Sequence, residues 1–173
     1  DIITCSGYDK KQGAKFISNH IKKSLLSQNR SVLVIEVLTK DEPKSTSELW
    51  NEQSQGNGLT EVVVYEDSLK QLTTKEWKDL LHEKAKEYDQ TLIINSCFGD
   101  AFTVPTMAAS QLNLVCMDTR LTPTKYVTEI DLLKEEYQLP NVCFALSRVG
   151  YSPNLMKELS SYFNSLKNQL KRS

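Results

Sequence analysis

No stretch of this chain approaches the roughly 20 consecutive apolar residues that span a bilayer, and none carries a signal-peptide pattern. A surplus of one charge is lacking too. Its 21 basic and 22 acidic residues leave a net charge of -1, so no bulk field draws nucleic acid or anionic lipid to it. His20 and His82 have no cysteine or second histidine at metal-ligand spacing. Cys5, Cys97, Cys116 and Cys143 include no CxxC pair, so neither a zinc site nor a disulfide framework is indicated. Reduced, mostly buried thiols of a cytoplasmic domain are the expectation. Repeats, low-complexity tracts and a second domain are absent, and the reading is one domain over residues 1–173. An apolar fraction of 39% and a charged fraction of 25% suit a globular chain with a sizeable core. The opening Asp1-Ile2-Ile3 already reads as strand, as in a domain excised from a longer protein.

What is present is alternation. Ile2–Cys5, Val32–Val37, Leu92–Asn95, Leu114–Met117 and Val142–Leu146 are short, nearly continuous apolar runs, the composition of strands covered on both faces. Between them, helical spacing groups Phe16, Ile17, His20, Ile21, Ser24 and Leu25, then Trp77, Leu80, Leu81, Lys84, Ala85 and Tyr88, then Tyr126, Val127, Ile130, Leu133 and Tyr137. A last helix is expected through Leu155, Met156, Leu159, Tyr162, Phe163, Leu166 and Leu170, with Tyr162 in its packed face. Thr73-Thr74-Lys75-Glu76 and Thr122-Pro123-Thr124-Lys125 read as helix starts, the second with Pro at the first helical position. Leu59–Asp67 fits either a strand or an irregular crossover. Residues 40–58, rich in Ser, Gln, Asn and Gly, are expected to form a mobile surface loop, with Trp50 anchoring it to the body or to a neighbouring subunit. The pattern implies an α/β fold: a mostly parallel twisted sheet flanked by helices on both faces, with right-handed crossovers. Ligands of such sheets bind beyond the carboxyl ends of the central strands.

Three segments meet at that edge. After the first strand comes Cys5-Ser6-Gly7-Tyr8-Asp9-Lys10-Lys11-Gln12-Gly13-Ala14-Lys15-Phe16. A phosphate-binding loop needs glycines, a Lys for the β/γ-phosphates and a Ser/Thr for Mg²⁺. Counting GxxxxGK[ST] from Gly7 preserves only that glycine. Laying KGGxGK[ST] on Lys10–Phe16 preserves Lys10 and Lys15 and puts Phe16 at the hydroxyl position. The second strand ends in Glu36, with Leu38 where a second acid would orient the metal, and Leu cannot coordinate a hard cation. The third strand, Thr91-Leu92-Ile93-Ile94-Asn95-Ser96, ends in Asn95 where a metal-linked Asp belongs. Lys10, Lys11 and Lys15 open a helix, which favours an anion by its dipole, or form a solvated basic turn.

Taken together these segments resemble the cytoplasmic domain of bacterial tyrosine kinases (BY-kinases), P-loop proteins of the septum-site ATPase type. The family's V-L-L-I-D-A-D-L-R-R-P is similar to Val32-Leu33-Val34-Ile35-Glu36-Val37-Leu38-Thr39-Lys40-Asp41-Glu42-Pro43, with the Pro one residue later. Its G-L-S-D-V-L resembles Gly58-Leu59-Thr60-Glu61-Val62-Val63, and its Y-D-x-V-I-I-D-T-P-P resembles Tyr88-Asp89-Gln90-Thr91-Leu92-Ile93-Ile94-Asn95-Ser96-Cys97-Phe98. Its late V-L-N-R-V resembles Ala145-Leu146-Ser147-Arg148-Val149.

The resemblance implies a P-loop NTPase-like fold and places the phosphate loop on Lys10, Lys11, Gly13 and Lys15. It puts the acidic pair on Glu36 and Leu38, the metal Asp on Asn95 and the base-contacting Asn on Ser147. No catalytic residue is intact: Glu36, Leu38 and Asn95 read as vestigial, and no metal ligand set remains. The expected function is a catalytically silent regulatory or scaffolding module in exopolysaccharide or capsule synthesis and export, without a cofactor. Its expected place is the cytoplasm, at the inner face of the bacterial membrane. Expected partners are a membrane polysaccharide co-polymerase or export protein, or the remainder of the same chain, with self-association plausible and nucleic acid excluded. The alternatives are an active tyrosine kinase using ATP and Mg²⁺, with Lys15 on the phosphates and Glu36 as the remaining acid, and a module binding another small anion.

Overall fold

A computed structural model describes residues 1–8, 13–38, 50–95 and 97–147. The described residues run β1 (Ile2–Gly7), α1 (Ala14–Ser27), β2 (Val32–Leu38), β3 (Asn51–Gly56), β4 (Leu59–Tyr65), α2 (Glu66–Leu69), α3 (Thr74–Ala85), β5 (Gln90–Asn95), α4 (Thr103–Ala108), β6 (Leu112–Asp118), α5 (Lys125–Glu136) and β7 (Val142–Ser147). The strands form one seven-stranded sheet in the order β3-β4-β2-β5-β1-β6-β7. Every described pairing is parallel except that of β3 with β4. β5 has all six residues buried, as a central strand covered on both faces must.

Side-chain alternation sorts the core onto two faces. On one, α1 lays Ile17, Ile21, Leu25 and Leu26 against Cys5, Val32, Val34, Leu92, Ile94 and Cys116. On the other, Trp77 and Leu81 of α3 cover Leu33, Ile35, Val37 and Ile93. There too, Met107 of α4 and Ile130 of α5 cover Val115 and Met117. The connection β1-α1-β2 moves one way along the sheet, whereas α3, α4 and α5 lead the other way. Right-handed crossovers then require opposite faces. Trp77 Nε1 donates to Thr106 Oγ1 at 2.9 Å, which satisfies the indole where α3 meets α4. α3 opens with a capping box: Glu76 N donates to Thr73 Oγ1 at 3.2 Å, and Thr73 N donates to Glu76 Oε2 at 2.7 Å.

Several expectations are corrected. Residues 51–56 are not loop but the antiparallel edge strand β3. Asn57 (φ 50°) and Gly58 (φ 77°) make the tight two-residue turn that folds it back, the Asn-Gly signal for a hairpin. Residues 40–49 lie outside the described residues. Leu59–Asp67 resolves into β4 followed by the start of α2. Trp50 anchors to the body: its Nε1 donates to Glu52 at 2.6 Å, and Lys84 of α3 bonds the same carboxylate at 2.9 Å.

The packed face of α1 is Ala14, Ile17, Ser18, Ile21 and Leu25. Phe16, His20 and Ser24 face outward, one position off the expected stripe. α5 begins at Lys125, and Pro123 precedes it. The Thr122 N–H is drawn back to Asp118 O at 2.9 Å, and i→i+3 bonds from Tyr126 and Val127 fill the first turn. Tyr137 is exposed rather than packed. All four thiols are free, but Cys143 is exposed. Cys116 is pushed well above the ordinary thiol range by its hydrogen bond with Cys5 and by burial. The expected last helix and Tyr162 lie outside the described residues. Among the described residues no helix is long and apolar enough to cross a membrane.

Candidate functional site

The carboxyl edge is where β1 hands over to α1. β1 ends at Gly7, Tyr8 follows, and Gly13 is the residue before the helix. Lys10 and Lys11 lie outside the described residues. Gly13 has φ 88°, a conformation that favours glycine, and a Cβ there would stand 3.2 Å from Ser147 Oγ. The end of β7 therefore presses on the start of α1, which brings the two expected site residues Gly13 and Ser147 together. The Ser147 hydroxyl is turned onto Met117 O at 3.2 Å. α1 has no side-chain cap and no acid in its first turn, so its dipole faces the edge uncompensated by either.

Lys15 reaches from that first turn to β2. Its Nζ lies 2.7 and 3.0 Å from the two Glu36 carboxylate oxygens. With Lys15 66% exposed and Glu36 23%, the pair contributes about 0–1 kcal/mol, yet it neutralises both charges where they meet. Phe16, at the position of a metal-binding hydroxyl, is 61% exposed and rests its ring on His20 at 4.3 Å. Leu38 ends β2 half-buried beside Tyr65.

Asn95 ends β5 between its register partners Ser6 and Val37. It is 2% exposed, and its Nδ2 donates to the buried Ser6 Oγ at 2.9 Å. The amide is thus engaged sideways along the sheet, toward β1. Among the described residues no group of three or more His, Cys, Asp or Glu is placed to hold a metal ion.

The edge also holds residues that the sequence reading missed. The Tyr8 ring stacks on Tyr126 of α5, centroids 3.3 Å apart and planes 17° from parallel. Its Oη donates to Glu129 Oε2 at 3.2 Å, and its carbonyl accepts from Cys97 Sγ at 3.0 Å. Burial, then the Tyr126 and Glu129 side chains, push the phenol up to about 12. The phenol is therefore a neutral donor throughout the ordinary pH range. These partners lie far from Tyr8 in the chain, Cys97 by 89 residues and Glu129 by 121, and no local pattern links them. Asp118, at the end of β6, is a buried carboxylate at the same edge. Its oxygen accepts from the Arg120 backbone N–H at 3.0 Å, so it is tied into its own turn.

No protein-family model matches the sequence, and comparison with curated proteins finds no match. Solved structures do match. The kinase domain of the Escherichia coli tyrosine kinase ETK superposes with a TM-score of 0.65 at 14% identity, covering 88% of this chain and 70% of that one. The kinase domain of VpsO gives 0.63 at 16% identity, with 86% and 85% covered. The septum site-determining protein MinD from Pyrococcus horikoshii, complexed with Mg-ADP, gives 0.65 at 13% identity, with 88% and 72% covered. The fold is that of the P-loop ATPases. Within that frame Gly13 directly precedes α1 and Lys15 lies in its first turn, while Glu36 lies two residues before the end of β2 and Asn95 ends β5.

Proposed function

We propose that this domain is a catalytically silent relative of the bacterial tyrosine-kinase domains. It serves as a regulatory or scaffolding module in exopolysaccharide or capsule synthesis and export. It acts on the cytoplasmic side of the membrane, with a membrane polysaccharide co-polymerase or with further segments of its own chain. The fold shared with the ETK and VpsO kinase domains supports the lineage.

The observation that carries the silent reading is the Asn95–Ser6 hydrogen bond. A magnesium nucleotide needs hard anionic oxygens and a hydroxyl at this edge. Asn95 supplies an amide bonded to its neighbour, Leu38 and Phe16 supply hydrocarbon, and the Glu36 carboxylate is held by Lys15. Among the described residues, these do not fit that group.

Calorimetry of the purified chain with ATP and Mg²⁺ tests the reading. The expected result is no binding tighter than about 1 mM. Micromolar, magnesium-dependent affinity overturns it in favour of a working kinase, and magnesium-independent affinity for ATP overturns it in favour of an anion-binding module.

A further inference from the structure

The two flanks of α1 have different neighbours. Lys15 and Lys22 reach to Glu36 of β2 and Glu61 of β4, so that flank looks along the sheet toward β4. Helical spacing puts Phe16, His20 and Ser24 on the opposite flank, and all three are exposed. Gly13, on the same side, abuts Ser147 at the end of β7. Between this flank and the edge of the sheet lie β6 and β7. Register sets Leu114 beside Cys143 and Cys116 beside Ala145, and Leu114, Cys116 and Ala145 belong to the α1 face. Leu114 is on an inner strand yet only half-buried, and Cys143 is exposed. Among the described residues α1 is the only helix on this face, and it leaves the strip open.

The result is an apolar trough walled by Phe16 and His20 and floored by Leu114, Cys143 and Ala145. The other face of the same strands offers no such room, because α5 already buries Val115 and Met117. β7 also lacks the charge that protects a free edge. β3, the opposite edge, carries Glu52 among Asn, Gln and Ser, whereas Val142–Ser147 has no charged residue.

The chain continues for 26 residues beyond Ser147, 148–173, which lie outside the described residues. They leave from the carboxyl end of the trough. Ser152-Pro153 carries the cap and first-position signals of a helix start, and the apolar stripe from Leu155 to Leu170 follows. As a helix, residues 154–170 are about 26 Å long, against roughly 20 Å for β7. We propose that this segment lies in the trough as a second helix beside α1, antiparallel to β7, with its apolar stripe on Leu114, Cys143 and Ala145. The small floor residues Cys143 and Ala145 let a helix bearing Leu, Tyr and Phe come close. The inference goes beyond the functional reading and is independent of it, since the trough is on the face of the sheet and not at its carboxyl edge.

The geometry fixes a register to test. Cys143 lies four residues back from Ser147, roughly 13 Å along the strand. A helix returning from that end covers the distance in about nine residues, which brings Phe163 level with Cys143. Phe163→Cys is compared with Ser161→Cys, whose thiol falls on the polar side of the helix. Each full chain is oxidised with diamide, and linkage to Cys143 is read by peptide mass spectrometry. Phe163→Cys is expected to link within one chain roughly tenfold faster or more. Equal rates overturn the proposal, as does a link formed mainly between two chains, which would make a second copy the occupant.

Iodoacetamide labelling gives a second measurement. Cys143 is expected to react several-fold faster in Leu159→Glu/Phe163→Glu than in wild type, while the buried Cys5 and Cys116 stay protected and report an intact sheet. An unchanged Cys143 rate with those two protected overturns the proposal. The linkage test stands on its own should that variant unfold.

Discussion

Asn95 shows how much of this edge can be read one residue at a time. Its place at the end of a buried strand follows from the apolar run before it. The direction of its amide does not, because the partner Ser6 lies 89 residues away. Asn95→Asp tests what that neutrality is worth. A carboxylate 2% exposed against a single hydroxyl has its folded pKa raised by burial, above the unfolded value near 3.9. The penalty is therefore fully present above the folded pKa and disappears as pH falls through it. Urea unfolding is expected to show a loss of about 1–3 kcal/mol at pH 7, shrinking at pH 4, and an equal loss at both pH values would refute this account. Lys15→Ala, by contrast, breaks a half-exposed pair and is expected to change stability by no more than about 1 kcal/mol. A larger drop in the same urea experiment would mean that the Lys15–Glu36 contact holds α1 in place.

Elements were legible where two signals agreed and illegible where composition overrode geometry. The strands β1, β2, β5, β6 and β7 could be read from apolar runs alone. The start of α3 could be read from Thr73-Thr74-Lys75-Glu76 as a helix start, and the structure adds a capping box between Thr73 and Glu76. β3 could not, because Asn51-Glu52-Gln53-Ser54-Gln55-Gly56 has the polar composition of a loop. Such composition also suits an edge strand that must resist pairing with strangers, and the Asn57-Gly58 turn was the usable clue.

Gly58→Ala is accordingly expected to cost about 1 kcal/mol or more. Its φ is +77°, and a Cβ would meet Arg30 O at 3.4 Å. A chemical denaturation midpoint equal to that of wild type would contradict it. In α3, the Thr73 backbone N–H and then its hydroxyl hold the Glu76 carboxyl below its ordinary value of 4.5. A depressed folded pKa gives stability that is present above the unfolded value and lost as pH falls through the folded one. Glu76→Gln should therefore flatten the fall in melting temperature below pH 4.5, while leaving its slope near neutrality unchanged.

At the scale of the whole molecule, fold class was the most legible property, because alternating buried strands and amphipathic helices admit few arrangements. The contacts that close the carboxyl edge were the least legible. Tyr8, Tyr126, Glu129 and Cys97 come from three separate parts of the chain, and only the sheet order makes them neighbours. The same order leaves the two faces unequal. Among the described residues, three helices longer than a single turn (α3, α4 and α5) cover one side and one, α1, covers the other. A helix about 10 Å across is set against a sheet roughly 29 Å wide. Among the described residues α1 is what covers Val32, Val34, Leu92 and Ile94, so its loosening would expose β2 and β5 together. Its amide protons should then trade with deuterium only when the entire molecule comes apart, long after those of β3 have gone.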